Sequence, residues 1–376
     1  SIIGPTLGGF ITDHWGWHWV FYVNIPLGIL IIFLNIFFFP HIKFSTRKHR
    51  IDILGIVALI MTVVPFMLAL TMAGVDYKWT SPQIVGLFEF SAVMFFIFLN
   101  IEKHVSEPVI PLWIFQNRIV AVSTVVIFLT GFGMFTGIIY IPLFFQGVLG
   151  QTATSSGTFL TPMMLGMITG GFLSGQYLSR MGGHYRAQGL AGCGIMAFGT
   201  FLLYGMDTGI SEAAATIFIV ITGFGLGITM PIYTIAVQNA VPYSVMGVAT
   251  STTAFFRSIG GLLGMSVVGS LMNNRFATEF TNNLSPQLQA IVPPDQLNQL
   301  VNNPQALFSS GALDQLQAQF ANFGVQGQTL LNELLRTLKG ALSSSLSEVF
   351  LISCSVVAVA FFVNFFLKEI PLRTHQ

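Results

Sequence analysis

Long runs of hydrophobic residues, separated by short polar segments, occupy most of this chain. An α-helix needs about 20 apolar residues, at ~1.5 Å per residue, to cross the ~30 Å hydrocarbon core of a bilayer. Nine runs reach that length, and they lie at 19–39, 52–74, 83–101, 119–147, 156–178, 187–206, 213–237, 247–272 and 346–367. Residues 1–12 have the pattern of the last half of a tenth run. No segment alternates with the period of a strand, so the pattern predicts an all-α polytopic membrane protein.

The composition agrees with a membrane environment. The 376 residues are 53% hydrophobic and 8% charged, and their mean hydropathy is +0.75. A water-soluble protein has about 25% charged residues, and so much apolar surface does not fit into one water-soluble core. The net charge of +1 and the lack of a basic stripe argue against a nucleic-acid partner. Cys193 and Cys354 both lie in apolar runs, which indicates small core residues and neither a disulfide nor a metal pair.

The lysines and arginines predict which loops face the cytoplasm, because these residues are enriched in cytoplasmic loops. If residues 13–18 form an outside turn, the inside segments carry Lys43, Arg47, Lys48, Arg50, Lys103, Arg118, Arg180, Arg186, Lys368 and Arg373. The outside segments carry only Lys78, Arg275, Arg336 and Lys339. We therefore expect a multi-pass protein of the plasma membrane with its C-terminus in the cytoplasm.

A glycine–proline motif, Gly4-Pro5-x-x-Gly8-Gly9, opens the chain. Gly4 and Gly8 lie four residues apart on one helical face, with Gly9 adjacent, and such spacing lets two helix backbones approach closely in lipid. Pro5 frees a carbonyl group and bends the helix beside that face. General helix packing is the plainer explanation when the glycine spacing is taken alone.

The sequence that follows the motif makes its assignment narrower. A tryptophan-rich segment, W-x-W-V-F-x-x-N-I-P-x-G, lies at 17–28. Together the two segments resemble the antiporter signature in the fifth span, and the start of the sixth span, of drug:proton antiporters in the major facilitator superfamily. Further matches to the fourteen-helix branch of that family lie at 52–55, 107–118, 140–150, 238–247 and 257–261.

The resemblance implies a partial major facilitator superfamily fold, from the second half of the fifth span through the fourteenth span. Residues 1–40 would end the N-terminal six-helix bundle as spans five and six, and 41–118 would form the extra two-helix linker hairpin with its inside loops. Residues 119–376 would form the C-terminal six-helix bundle, with a long outside loop at 273–345. Because the chain begins inside the motif, we expect an N-terminally truncated chain.

The function implied by the resemblance is proton-driven multidrug efflux, an antiport of lipophilic or cationic compounds by alternating access. Its partners would be small lipophilic or cationic substrates, protons and the lipid bilayer, with no cofactor besides the proton gradient, and the protein would be monomeric. A narrower exporter of a lipid, peptide or metabolite on the same fold stays open. A membrane-embedded enzyme or a structural protein is the weaker alternative, because no cluster of nucleophiles and bases marks a catalytic centre.

Two ionisable residues lie well within predicted spans, where a charge is unfavourable and often functional. Arg257 precedes Gly260, Gly261 and Gly264, which would let another helix pack against that face. Arg257 is either a gating or charge-pairing residue, or a side chain that extends to the interface. Glu89 lies in the extra hairpin, where a protonated side chain facing lipid or a neighbour is favoured over a proton-coupling role.

Small residues form a stripe that runs toward the inside surface, and they are Gly166, Gly170, Gly171, Ser174 and Gly175. The stripe ends in Gly175-x-x-x-Ser179-Arg180-x-Gly182, which resembles a degraded copy of the G-x-x-x-D-R/K-x-G loop of the superfamily. Ser179 stands where the acidic residue belongs, which puts a charge lock in doubt. A plain positive-inside turn explains the segment equally well.

Large, soft side chains on the C-terminal bundle are candidates for the substrate path: Phe132, Phe135, Tyr140, Phe145, Gln146, Met163, Met164, Met230 and Tyr233. Aromatic and thioether surfaces suit varied lipophilic cations, although such residues at helical spacing more often form core or lipid contacts. His14 and His18 are four residues apart in the first outside turn. An interfacial turn is favoured over a metal pair there, so no metal site is expected.

Overall fold

A computed structural model describes residues 3–39, 52–74, 77–151, 153–181, 183–291, 320 and 324–371 of the chain. Within these ranges the regular structure is helical, apart from one isolated bridge between Ala73 and Tyr77. The α-helices are α1 (Ile3–Trp15), α2 (His18–Tyr22), α3 (Asn24–Phe38), α4 (Ile53–Met72), α5 (Pro82–His104), α6 (Arg118–Gly147), α7 (Ala153–Met181), α8 (Tyr185–Tyr204), α9 (Glu212–Ala240), α10 (Met246–Asn283), α11 (Pro286–Ile291) and α12 (Gly324–Asn364). Two short 3₁₀ helices, Leu112–Gln116 and Tyr243–Val245, precede α6 and α10.

Eight helical segments in the described ranges are long and apolar enough to cross a membrane. They are His18–Phe38, Ile53–Met72, Pro82–His104, Arg118–Gly147, Tyr185–Tyr204, Glu212–Ala240, Tyr243–Asn283 and Gly327–Asn364. One predicted span, 156–178, is missing from these eight segments. It is also a long helix, α7, but its glycines, serines and threonines lower its mean hydropathy. The predicted all-α, multi-pass architecture is confirmed.

Polar residues at the ends of the apolar runs explain where several spans begin. The side chains of Asp52, Ser81, Asn117 and Ser211 accept hydrogen bonds from backbone N–H groups in the first turns of α4, α5, α6 and α9. These caps satisfy donors that a helix cannot satisfy within itself. The start of each of these four helices is therefore encoded locally, by one residue beside a hydrophobic run.

Helices α6 to α10 and α12 pack together and enclose the largest hydrophobic core. The hairpin of α4 and α5 packs mainly on itself and touches the bundle through α10. The turn between α4 and α5 is attached to α10 by a hydrogen bond, which Trp79 Nε1 donates to Ser270 Oγ at 3.0 Å. Gly74 lies in the same turn at φ +78, and a Cβ there would overlap the Ser270 hydroxyl, so the turn requires glycine. Helix α1 packs against α7, whereas the described side chains of α2 and α3 include no buried residue.

The segment expected as a long outside loop, 273–345, is helical in most of its described part. Helix α10 continues to Asn283, α11 follows, and α12 begins at Gly324. The reason is a hydrophobic cluster beyond the predicted spans that includes Phe276, Phe280, Leu334 and Leu338. The sequence carries a signal for part of this, because apolar residues at 312–342 recur at amphipathic helical spacing within a polar composition. Residues 292–319 lie outside the described ranges.

Candidate functional site

The glycines of α10 allow close packing with α6. A Cβ on Gly260 would overlap the carbonyl oxygen of Phe128, and a Cβ on Gly261 would overlap the ring of Phe135. A Cβ on Gly264 would lie 2.9 Å from the Phe132 ring. The expectation that these three glycines let another helix pack against that face is confirmed. We call this contact between the two helices the α6–α10 seam. Phe132 and Phe135, two of the candidate path residues, are packed within it.

The small-residue stripe of α7 packs against α9. A Cβ on Gly166 or Gly170 would overlap the backbone carbonyls of Val220 and Phe224. Glycines of α9 contribute to the same close contact, because a Cβ on Gly223 or on Gly227 would overlap the α7 backbone at Met163 or Met167. In lipid, small residues on both sides permit this approach, since dispersion and weak contacts replace the hydrophobic driving force.

The glycine–proline motif lies in α1, which packs against α7 through a face that includes the buried Ile11. The structure differs from expectation at Gly4 and Gly8, where an added Cβ would meet no atom within 4 Å. In this conformation the two glycines are therefore not the point of closest backbone approach. Gly9 is half-buried, and the surroundings of Pro5 lie outside the described side chains. The gating role of these four residues stays a prediction.

Arg257 is half-buried on α10, and one guanidinium nitrogen lies 3.5 Å from the carbonyl oxygen of Met230 on α9. The backbone oxygen of Arg257 lies where a Cβ on Gly131 would be, so its helix is tightly set against α6. Among the described residues, no carboxylate oxygen lies within 4.0 Å of its guanidinium. Arg257 was predicted to act in charge pairing or in gating. For charge pairing, the described residues provide no acidic partner in this conformation. The gating role stays a prediction.

Glu89 is exposed on α5. This placement fits the expectation of a side chain that faces lipid, and a proton-coupling role stays untested.

Most of the candidate path residues form part of the core. Tyr140, Phe145, Met163 and Tyr233 are at most 4% exposed. The Tyr140 hydroxyl donates to the Met265 carbonyl at 3.1 Å, which adds a polar tie to the α6–α10 seam. Gln146, Met164, Met230 and Phe135 are half-buried.

In the described part of the segment after the α7 stripe, Ser179 and Arg180 form no ion pair. Arg180 is exposed, and the Ser179 hydroxyl donates to the Gln176 carbonyl one turn earlier at 2.9 Å. An added Cβ on Gly175 would meet open space, and Gly182 lies outside the described residues. Ser179 therefore acts locally in the position where the superfamily loop carries an acid.

The two histidines of the aromatic turn after α1 make contacts with residues close in sequence. His14 Nδ1 lies 2.9 Å from the Phe10 carbonyl oxygen, and the ring stacks on Phe10. The His18 ring stacks on Trp17 at 3.7 Å between centroids. These contacts are those of an interfacial turn.

A buried chain of polar contacts joins the N-terminal half of α8 to the C-terminal halves of α9 and α12, and the sequence pattern did not reveal it. The Tyr233 hydroxyl donates to Asn364 Oδ1 at 3.1 Å and lies 3.4 Å from Cys193 Sγ. Asn364 Nδ2 donates in turn to the Arg186 carbonyl at 2.9 Å. Cys193 is thus a buried core residue, as its position in an apolar run predicted.

A second network holds the end of the chain against the bundle. Asn239 Nδ2 donates to the Tyr185 hydroxyl at 2.6 Å and to the Pro371 carbonyl at 3.0 Å, and the Tyr185 hydroxyl donates to the Ile370 carbonyl. Arg118 Nε donates to the Phe366 carbonyl at 2.9 Å. Asn239 and Arg118 each belong to a segment that resembles the antiporter family, and these matches were the sequence signals for this network.

Two buried carboxylates lie where the α4–α5 hairpin begins and where it ends. Asp52 Oδ1 accepts from Gly55 N at 2.8 Å, while Glu102 accepts from the N–H groups of Val109 at 3.2 Å and Ile110 at 3.3 Å. Glu102 thereby ties the last turn of α5 to the linker before α6. The sequence placed Glu102 at a span end, and only the fold shows that it is buried.

The profile of the Major Facilitator Superfamily matches residues 1–265. The chain belongs to this superfamily. Members of the superfamily are transporters and not enzymes, so the chain is a multi-pass membrane transporter, and the enzyme and structural-protein alternatives are excluded.

Several curated superfamily proteins align along the whole chain. Multidrug transporter protein MdtP of Bacillus subtilis (strain 168) is 37% identical over 388 residues, which cover 100% of this chain and 69% of that protein. Multidrug resistance protein 3 of the same organism is 32% identical, with the same two coverages. The MFS-type efflux transporter ffsH of Aspergillus flavipes is 30% identical over 99% of this chain and 63% of its own length.

Proposed function

We propose that the chain belongs to a proton-driven multidrug efflux transporter of the fourteen-helix branch, which exchanges protons for lipophilic or cationic compounds. The observation that carries the proposal is the packing of α1, with its glycine–proline motif, against α7 of the C-terminal bundle. The names of the two Bacillus subtilis relatives, which describe multidrug transport and multidrug resistance, support the substrate class.

In the proposed mechanism, the α1–α7 contact belongs to the interface that opens and closes between the two halves of the transporter. The α6–α10 and α7–α9 seams are backbone contacts made through glycine, so each pair moves as a unit. A loosely held arginine beside the α6–α10 seam is suited to exchange partners between states, which is the role we assign to Arg257. The protein would be monomeric, with a cytoplasmic C-terminus.

Transport by the full-length protein in proteoliposomes tests the proposal. A lipophilic cationic dye should move against its gradient when a pH gradient is imposed, and a protonophore should abolish this movement. Dye movement that persists after the pH gradient has collapsed would contradict proton coupling. Transport of a single compound class would favour the narrower exporter instead.

Two variants of Gly8 test whether the interface of α1 with α7 changes during transport. Gly8→Ala should keep most of the efflux, because the added methyl group meets open space in this conformation. Gly8→Leu should lower efflux while dye binding survives, since the longer side chain obstructs the state in which α1 and its neighbour approach more closely. Full efflux by Gly8→Leu at matched expression would mean that this face of α1 meets lipid throughout the cycle.

A further inference from the structure

A groove of about 640 Å³ separates the extra hairpin from the C-terminal bundle. Helices α4 and α5 form one wall, and α6, α10 and the linker before α6 form the other. The lining is almost wholly apolar, and its larger side chains include Phe66, Met67, Phe95, Phe98, Leu112 and Phe255. We call this feature the hairpin–bundle groove. Its volume lies within the ~300–1,000 Å³ range of sites that enclose small molecules.

The groove is a product of how the hairpin is attached. On the outside, the turn is held to α10 by the hydrogen bond from Trp79 to Ser270. On the inside, Glu102 binds the linker backbone at Val109 and Ile110. Between these two attachments the hairpin stands away from α6 and α10. An apolar lining offers water no partners, whereas at this depth the surrounding solvent consists of acyl chains.

One of the lining residues has a buried hydroxyl without a partner in the described part of the chain. Thr124 on α6 is 4% exposed, and its hydroxyl has no hydrogen-bond partner among the described residues. The other two hydroxyls of the lining are already paired, because Thr62 Oγ1 donates to the Ala58 carbonyl and Ser91 Oγ donates to the Thr62 carbonyl. A buried hydroxyl without a partner is unfavourable, so a ligand that brings an acceptor to Thr124 is favoured over a pure hydrocarbon.

Exposed cations lie at the inside mouth of the groove, next to the buried carboxylate of Glu102. Leu99 on α5 and Ala121 on α6 line the groove, and Lys103 and Arg118 lie about one helical turn further along. Glu102 accepts hydrogen bonds from the linker backbone, and Arg118 donates its Nε–H to the Phe366 carbonyl, so Lys103 and the other N–H groups of Arg118 are left to meet an anion. Thr124 lies six residues along α6 from Arg118, which is ~9 Å on the helix axis. The polar zone of one leaflet is ~5–8 Å deep, so a phosphate beside the two cations would set its ester carbonyls near Thr124.

We propose that the hairpin–bundle groove binds a phospholipid from the inside leaflet. One acyl chain lies along the apolar walls, an ester carbonyl accepts a hydrogen bond from Thr124 Oγ1, and the phosphate lies near Lys103 and Arg118. The occupant is a bilayer lipid and not a transported compound. The lipid thereby fills the gap between the hairpin and the bundle and couples the two bodies mechanically.

Photo-crosslinking in the full-length protein tests the proposal. The protein is reconstituted in vesicles that contain phosphatidylglycerol with a diazirine on one acyl chain, and the labelled peptides are mapped by mass spectrometry. Labelling should concentrate on the groove-facing peptides of α5 and α6. Ala92→Phe should lower it at least about tenfold, because the ring and the acyl chain compete for one volume. Val93→Phe is the matched control, since Val93 is 58% exposed and lies outside the groove lining.

The hydroxyl is tested by Thr124→Val, which keeps the volume and should lower groove labelling about threefold to tenfold, as the loss of one hydrogen bond would. Equal labelling in Ala92→Phe and Val93→Phe, or labelling spread evenly over the exposed helices, would overturn the proposal. Displacement of the lipid by a lipophilic cationic dye would also overturn it and assign the groove to transported compounds. The assay needs no pH gradient, so its outcome is independent of proton-coupled efflux.

Discussion

Arg257 and Glu89, the two ionisable residues deep in predicted spans, differ in their surroundings. Arg257 lies half-buried between α9 and α10, at the limit of hydrogen-bonding distance from one backbone carbonyl. Glu89 is exposed on a helix of the extra hairpin. A cation held weakly inside the bundle can be recruited by another group when the helices move, whereas an exposed side chain at lipid depth has no fixed neighbour to gain or lose.

Arg257→Ala should therefore lower the initial rate of efflux at least about tenfold, as expected when a hydrogen bond from a charged group is lost. Arg257→Lys should keep part of the activity, because it preserves the charge but not the forked geometry. The measurement is dye efflux at matched membrane abundance. Arg336→Ala is the control, since Arg336 is exposed outside the predicted spans. Unchanged efflux in Arg257→Ala would assign the side chain to anchoring at the interface.

At the scale of elements, glycine determines which helices come into backbone contact. A Cβ on Gly260 would overlap a backbone oxygen of α6, whereas a Cβ on Gly86, in the exposed hairpin, would meet no atom within 4 Å. The same residue type thus has opposite consequences in two helices. The sequence spacing alone does not separate them, because both lie in long apolar runs.

Gly260→Ala should destabilise the protein by about 1–3 kcal/mol, since the backbones of α6 and α10 must separate to accommodate the methyl group. Gly86→Ala should stabilise it by about 0.4–1 kcal/mol, because the change only restricts the unfolded chain. Thermal unfolding of the two purified variants in one detergent compares them directly. A Gly260→Ala variant as stable as the parent would contradict the tight α6–α10 seam.

A second feature at this scale is the continuation of α10 to Asn283, beyond the end of its predicted span. Phe276 and Phe280 are each 1% exposed, and their rings stack at 5.8 Å between centroids. Phe280→Ala should lower the free energy of unfolding by about 3–5 kcal/mol, because it leaves a cavity in this cluster. Phe96→Ala should have little effect in detergent, since Phe96 is 70% exposed. Similar unfolding midpoints for the two variants would show that the extension does not stabilise the fold.

At the scale of the whole molecule, the lysine and arginine distribution predicts the orientation of the bundle in the membrane. Arg186 lies at the start of α8, on the predicted inside, and Thr208 lies in the turn between α8 and α9, on the predicted outside. Both are exposed. In a background with Cys193 and Cys354 replaced by serine, Arg186→Cys should react with an impermeant maleimide only from the cytoplasmic side. Thr208→Cys should react only from the other side, and the reverse pattern would invert the topology.

The sequence by itself determined the membrane class, the positions of the long helices and the superfamily. These properties follow from local patterns: twenty-residue apolar runs, single capping residues such as Asp52 and Asn117, and motifs read along one helix. The α6–α10 seam was also predictable in part, because Gly260, Gly261 and Gly264 share one segment. The partner helix was not, since spacing along one element does not say which other element faces it.

Only the tertiary structure decided which side chains are accessible and which are enclosed. It buried Tyr140, Phe145 and Tyr233 in the core, and it extended α10 beyond the predicted membrane boundary. It also separated the hairpin from the bundle by a groove. These outcomes depend on residues that are distant in the chain, such as Trp79 with Ser270 or Phe276 with Leu334. Local hydrophobicity reports that a residue avoids water, but lipid, core and groove all satisfy that preference, and only the packing of distant segments distinguishes them.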